Sequence, residues 1–315
     1  HRDLHSFPTR RSSDLIEKLE NQKKSYLYAS LVILFWGTSA TAFKLGLKSF
    51  NYVQLLFWSS LSATVILFSI LLIQNKGKEL FSTNRKQLGN SILEGFLNPF
   101  LYYFVLFKAY SLLPAQVAQP LNYVWPIILV LLAAVFLKQK LHWYDFAALF
   151  LSFIGVVFIS SQGSIDVFSA SNPLGVTLAL ISSIVWASFW IINVRDKDRD
   201  EVVKLFLSFG FATILCLAPM LMFDGFNSLP LNGLLASIYI GAFEMGITFV
   251  LWLKAMKYAT NTAKLGNFSY LVPFVALMFV SLILKEKVIW TTLVGLLIII
   301  GAILFQQYVG KNKRA

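Results

Sequence analysis

Cysteine, histidine and charge are all scarce in this 315-residue chain, and each scarcity removes a class of chemistry. Cys216 is the single cysteine and lies inside an apolar stretch, so neither an internal disulfide nor a thiolate metal cluster can be built. Two of the three histidines, His1 and His5, stand at the extreme N-terminus, which leaves His142 without a partner for a metal site or a histidine-based triad. No Walker A loop, Rossmann fingerprint or nucleophile elbow occurs, so an enzyme is not indicated and no cofactor is implied. Charged residues make up 13% of the chain against 57% hydrophobic, and at that ratio a soluble domain cannot hide its apolar surface.

What the chain has instead is apolar length. Ten apolar runs fall near residues 26–46, 51–74, 89–108, 114–137, 143–161, 173–194, 202–223, 231–253, 260–284 and 290–309. Each is long enough to cross roughly 30 Å of hydrocarbon at about 1.5 Å per residue. Alternating ten-residue strands are absent, which excludes a β-barrel, and helices keep their backbone hydrogen bonds internal. The expected fold class is an all-α integral membrane protein with ten transmembrane helices.

The net charge of +12 would suggest nucleic acid in a soluble chain. Here most Lys and Arg occupy short polar gaps between apolar runs, where they orient helices, so no nucleic-acid partner is expected. With the N-terminus inside, 18 basic residues collect on the cytoplasmic side and 5 on the other, which favours both termini being cytoplasmic. The expected location is a cell membrane, multi-pass, of the bacterial inner-membrane kind.

Residues 1–15, HRDLHSFPTRRSSDL, are basic but lack the apolar core of a signal peptide, and the first methionine of the chain is Met220. The run FPTRRSSDL can be encoded by a nucleotide stretch that resembles a common sequencing adapter, so residues 1–15 are expected to be an assembly artefact. Residues 16–25 then form a cytoplasmic segment and 310–315 a basic cytoplasmic tail.

The body of the chain repeats itself. FKAYSLLPAQVAQPLNYVWP (107–126) parallels LKAMKYATNTAKLGNFSYLVP (253–273), and LFWGTSATAFK (34–44) parallels IVWASFWIINV (184–194). Pro126 and Pro273 are each followed by 11 residues before the first lysine of a closely similar motif: LKQKLHW (137–143) and LKEKVIW (284–290). Residues 26–161 and 173–309 are therefore read as two five-helix repeats joined by an extracytoplasmic linker, 162–172. Five being odd, the second repeat is inverted in the membrane, an architecture whose sites lie near the midplane between the halves. In this light the Lys-x-Lys pairs mark the tip of a duplicated helix pair, with Glu286 partly offsetting Lys285 and Lys287.

The helix count, the first-helix tryptophans, Lys-Ala near the end of helices three and eight, and the proline-bearing fourth helix of each half resemble the EamA-type drug/metabolite transporter superfamily. The resemblance covers residues 26–309, and NYVWP and IVWASFW are most similar to the branch that contains aromatic amino-acid exporters. Members commonly end the fourth helix of each half with Leu-Gly-Glu. This chain departs from that: Leu137-Lys138-Gln139 has neither Gly nor Glu, and Leu284-Lys285-Glu286 keeps only the acid.

Polar residues inside apolar runs supply the candidate site. Glu244 sits midway along its run, where a charge costs at least roughly 2.5–3.5 kcal/mol by insertion scales, so it is expected to face a cavity or a partner, or to carry a proton. Glu94, nearer the start of its helix, is expected to reach the cytoplasmic interface. Aligning Lys108 with Lys254 sets Asn98 opposite Glu244. Helix three then offers Glu94, Asn98 and Tyr102 at four-residue spacing, and helix eight offers Glu244, Thr248 and Trp252. Helix four adds Gln116, Gln119, Asn122 and Tyr123; helix nine adds Asn261, Lys264, Asn267 and Tyr270. Such amides either hold a zwitterion or hydrogen-bond neighbouring helices together. Lys264 either snorkels outward or faces Glu244, and as a pair they suit the carboxylate and ammonium of an amino acid. Trp36 and Trp186, with small neighbours, suit stacking on a ring or a cation.

These features together point to a secondary transporter exporting small metabolites such as amino acids by alternating access, with the lipid bilayer, a small-molecule substrate and proton coupling as its expected partners. A nucleotide-sugar or lipid-linked carrier is the alternative within transport. A membrane scaffold or receptor is the alternative outside it.

Overall fold

The computed structural model describes residues 8–136, 141–164, 171–193, 199–223, 229–259 and 268–314, with side chains described between Glu20 and Gly310 inside those ranges. Among the described residues every regular element is helical. In chain order they are α1 (Pro8–Gly46), α2 (Tyr52–Ile73), the short α3 (Gly77–Phe81), α4 (Arg85–Gly95), α5 (Tyr102–Leu112), α6 (Ala115–Asn122), α7 (Trp125–Phe136) and α8 (Trp143–Ser161). The later part contributes α9 (Pro173–Asn193), α10 (Glu201–Phe223), α11 (Leu231–Ile240), α12 (Ile247–Tyr258), α13 (Val272–Phe279) and α14 (Trp290–Arg314).

Among the described residues, eight stretches of helix are long and apolar enough to cross a membrane: Glu20–Gly46, Tyr52–Ile73, Ala115–Phe136, Trp143–Ser161, Pro173–Asn193, Glu201–Phe223, Leu231–Tyr258 and Trp290–Gly310. Two of the ten expected spans fall outside this set for physical reasons. The third carries Asn90, Glu94 and Asn98 and is broken at Asn98. The ninth, Ser269–Leu284, is apolar but short. Outward faces carry the bulk of the exposed apolar side chains. On α8, for example, Phe146, Phe150 and Phe153 form one stripe at helical spacing and are 57%, 65% and 63% exposed, as a lipid-facing surface requires.

Local sequence explains where helices begin and break. Asn51 caps α2 and Asn84 caps α4, each in a reciprocal box with the glutamine three residues on. Between α4 and α5 lies a π-helical turn, Phe96–Leu101, in which Asn98 leaves helical geometry at φ −145°, ψ 120°. Proline forces this: Pro99 has no N–H to donate and crowds the residue before it out of the α region. A second π-helical turn, Gly241–Gly246, separates α11 from α12 without any proline. Gly241 packs so tightly on α2 that a Cβ there would lie 2.6 Å from Ser59 O, and Thr248 Oγ1 bonds the carbonyl of Phe243, five residues back, at 2.5 Å. A small-residue contact and a side-chain hydroxyl thus do on one helix what proline does on the other.

The helices pair in a mirrored pattern. α1 packs on α11, α12 and α13, while α9 packs on α5, α6 and α7; α2 lies against α10, and α8 against α14. Buried charge concentrates where α4 meets α10. Glu94, expected at the interface, is only 1% exposed and accepts from Ser208 Oγ at 3.2 Å, with Arg199 Nη2 at 3.9 Å. Lys204 is likewise 1% exposed and pairs with Glu201 Oε2 at 3.1 Å. These charges keep partners because an unpaired ion inside costs several kcal/mol.

The α8–α14 contact depends on two glycines whose backbones nearly touch. A Cβ on Gly155 would lie 2.7 Å from Gly295 O, and one on Gly295 would lie 2.5 Å from Gly155 O. Gly295→Val is therefore expected to destabilise the bundle by at least about 1–3 kcal/mol, seen as a lower melting temperature in detergent. Gly301→Ala, where a Cβ meets nothing within 4 Å, serves as the control and leaves the melt unchanged.

Candidate functional site

The π turn Gly241–Gly246 and the start of α5, just after the other π turn, border one interior space. The turn at 241–246 brings Glu244 to the wall of a cavity of about 300 Å³. Glu244 as a residue is 9% exposed, and its carboxylate accepts from two neutral hydroxyls: Ser39 Oγ on Oε2 at 2.5 Å and Tyr103 Oη on Oε1 at 2.9 Å. Trp36 Nε1 donates to the Glu244 backbone carbonyl at 3.3 Å. Among the described residues no Lys or Arg pairs with this carboxylate, and none lines the cavity.

Aromatic rings form the rest of the walls. Trp36 of α1 and Trp186 of α9 approach the same Phe249, edge to face, with ring centroids at 6.2 and 5.9 Å. Tyr102 packs on Trp186 at 4.7 Å, and Trp252 packs on Trp36 at 5.6 Å. Trp125 and Trp190 also line the space. The indole nitrogen of Trp190 is buried with no hydrogen-bond partner, which leaves one N–H beside the cavity for an incoming acceptor.

The amides divide between glue and lining. Asn122 Nδ2 donates to Ser182 Oγ at 2.8 Å while its Oδ1 accepts from Tyr102 Oη at 3.2 Å, so it stitches α5, α6 and α9 together. Gln119 Oε1 accepts from Tyr110 Oη, Tyr123 Oη donates to Ser269 O at 2.6 Å, and Gln307 Nε2 donates to Tyr270 Oη at 2.5 Å. All of these save Tyr110 and Ser182 also line the cavity.

Of the residues singled out from sequence, Glu244, Tyr102, Gln119, Asn122, Tyr123, Trp36, Trp186 and Tyr270 converge on this one space. Asn98 does not: it is 1% exposed, lies outside the lining, and neither amide atom has a hydrogen-bond partner. Four-residue spacing assumes an unbroken helix, and the π turn with its proline ends that register between Asn98 and Tyr102. Lys264 and Asn267 lie outside the described residues, as does the question of a Lys264–Glu244 pair. Sequence reasoning missed Ser39, Tyr103 and Gln307. Ser39 follows Trp36 by three positions, close to one turn of α1, and that spacing was the available signal; Tyr103 enters because of the broken register, and Gln307 comes from the far end of α14.

Comparison with known proteins identifies the family and the fold. Residues 23–161 and 173–306 each match the model of the EamA-like transporter family. An uncharacterized transporter of Archaeoglobus fulgidus is 25% identical over 284 residues, spanning 89% of this chain and 96% of its own. A Streptantibioticus cattleyicolor protein named "Probable terminal-alkyne amino-acid exporter" is 26% identical, over 79% of this chain and 81% of its own. The aromatic amino acid exporter YddG of Salmonella typhimurium is 22% identical over 58% of this chain and 64% of its own. A solved crystal structure superposes with a TM-score of 0.65 at 18% identity, covering 93% of this chain and 99% of the other, which establishes likeness of fold.

The two buried asparagines should respond oppositely to substitution. Asn122→Leu leaves the Tyr102 hydroxyl without its acceptor and removes the bond to Ser182, whose hydroxyl keeps only Ala179 O, and is expected to cost about 1 kcal/mol or more, whereas Asn98→Leu removes an unpartnered buried amide and is expected to be neutral or stabilising. Melting temperatures of the two variants in the same detergent check this.

Proposed function

The chain belongs to the EamA-like transporter family, and from that premise we propose that it is a secondary transporter that exports ring-bearing amino acids or related zwitterions by alternating access, in exchange for protons. Its transporter class and multi-pass membrane location follow from family membership and the eight long apolar helices among the described residues. The substrate and coupling are our reading of the cavity.

One observation carries that reading: a buried carboxylate held only by neutral hydroxyls on the wall of an aromatic cavity. An unpaired carboxylate in such surroundings is costly, so Glu244 is at rest only with a proton or a counter-cation on it. A substrate ammonium and a proton then compete for the same two oxygens, and competition for one site is sufficient to couple their movements. The ring faces of Trp36 and Trp186 favour both an aromatic side chain and a cation above them. The free N–H of Trp190 suits the substrate carboxylate. Lys264 and Asn267 are further proposed contacts. A cavity of about 300 Å³ is at the small end of ligand pockets, roughly 300–1,000 Å³, which favours an amino acid over a nucleotide sugar.

The finer architecture is part of the same proposal: ten spans in two inverted units, 26–161 and 173–309, with both termini cytoplasmic. The mirrored helix pairing supports it, since α1 and α9 would be equivalent first helices, each packed on helices of the other unit. The two π turns support it as well, because the alignment of Lys108 with Lys254 sets them within one residue of each other.

Transport tests the chemistry directly. In proteoliposomes, exchange of radiolabelled phenylalanine is expected to accelerate several-fold when a proton gradient is imposed, and Glu244→Gln is expected to remove that acceleration. Gradient dependence that survives in Glu244→Gln would take Glu244 out of the mechanism. Trp190→Phe is expected to weaken phenylalanine binding about 5- to 10-fold, one hydrogen bond of roughly 1 kcal/mol, with k for bound substrate little changed; isothermal titration in detergent checks it.

A further inference from the structure

We infer that Glu286 is a positioning residue for transport: together with Gln116 and Lys44 it latches one end of the cavity shut by holding the connection between α5 and α6 from the other half of the chain. The latch is built from six hydrogen bonds. Glu286 Oε1 and Oε2 accept the backbone N–H groups of Ala115 and Gln116, each at 3.2 Å. Gln116 replies across the same gap, its Nε2 donating to Lys287 O at 2.8 Å and its Oε1 accepting from Ile289 N at 3.0 Å. On the other side of the connection, Lys44 Nζ donates to the carbonyls of Tyr110 and Leu113, both at 3.0 Å.

The arrangement is electrostatically matched. α6 begins at Ala115 and α5 ends at Leu112, so an anion meets the helix N-terminus and a cation meets the helix C-terminus. The first N–H groups of α6 have no acceptor within the helix, and Glu286 supplies one from about 170 residues further along the chain. Gln116 itself is 5% exposed, so its amide needs both partners in the 287–289 segment.

The latch sits directly over the candidate site. Gln119, one turn below Gln116, lines the cavity and accepts from Tyr110, and Tyr110 packs edge to face on Phe43, the residue before Lys44, at 5.2 Å. Separating Glu286 from α6 therefore frees the turn that carries Gln119 and the ring layer beneath it. Water can perform the exchange: the latch groups Lys44, Gln116, Glu286 and Lys287 also border a wide recess with Ser111, which is exposed. Every bond in the latch has a polar group that water can satisfy once the gap opens, which suits a contact made and broken in each cycle. In the motif LKQKLHW the position aligned with Glu286 is Gln139, so the acid is present in one of the two motifs only.

This inference rests on the alternating-access part of the functional reading and not on the substrate. It is tested on the full chain in nanodiscs, without substrate, by electron–electron spin-distance measurement between labels at Ser111→Cys and Lys285→Cys, with Cys216 replaced by Ser. One short distance is expected to dominate in the parent. Glu286→Ala is expected to raise a longer-distance population at least tenfold, Glu286→Asp less so, and Gln116→Ala by several-fold. Melting temperature is measured in parallel, and a variant that folds as the parent does but keeps the parent distance distribution overturns the latch. Should Glu286→Ala fail to fold, Gln116→Ala decides: a parent-like distribution there overturns the proposal equally. Because no substrate is present, a wrong substrate assignment leaves this readout unaffected.

Discussion

Backbone hydrogen bonding in an apolar medium is the constraint on which the rest of this structure depends. Inside hydrocarbon each N–H and C=O needs a partner, and an unbroken helix provides one for each. Where α4–α5 and α11–α12 break into π turns, other groups must supply what the helix no longer does. Thr248 bonds a freed carbonyl at Phe243, and Trp36 bonds the carbonyl of Glu244. The breaks are therefore tolerated only where neighbouring helices close in, and one of them carries the residue around which the cavity is built.

Scarcity of charge gives each buried charge a readable role. Glu94 and Arg199 lie near each other between α4 and α10, Lys204 meets Glu201 within α10, and Lys44 and Glu286 end up on opposite helix termini. All of these are satisfied by a partner charge or by backbone groups, so they fix structure in the state observed. Glu244 differs from them. Its partners among the described residues are neutral, which makes its occupancy by a proton or a cation a variable and not a fixed property of the fold.

The same physics connects packing with movement. Contacts built on glycine, such as Gly155 against Gly295, have no slack and suit helices that travel as a unit. Contacts built on polar groups, such as those of Gln116 and Glu286, can be exchanged for water without leaving anything unpaired. A bundle with rigid seams on α8–α14 and exchangeable seams at α6 has the parts that alternating access requires.

The sequence by itself determined the membrane class, the apolar spans, the duplicated motifs and the family. It also picked out Glu244 and the first-helix tryptophans, because a lone acid in an apolar run and a Trp among small residues stand out in one dimension. Pro99 stands in the sequence at the break between α4 and α5. Nothing comparable announced the break at Gly241–Gly246, since there the cause is how closely α2 approaches. Only the tertiary structure decided that Asn98 leaves the site while Tyr103 enters it, because the π turn interrupts the four-residue register that the sequence argument assumed. Only the tertiary structure likewise gave Glu286 a partner. In sequence it is an acid between two lysines, and its role depends on helix-end N–H groups contributed by a segment about 170 residues away. Periodicity reports which face of a helix is apolar; it cannot report what that face meets.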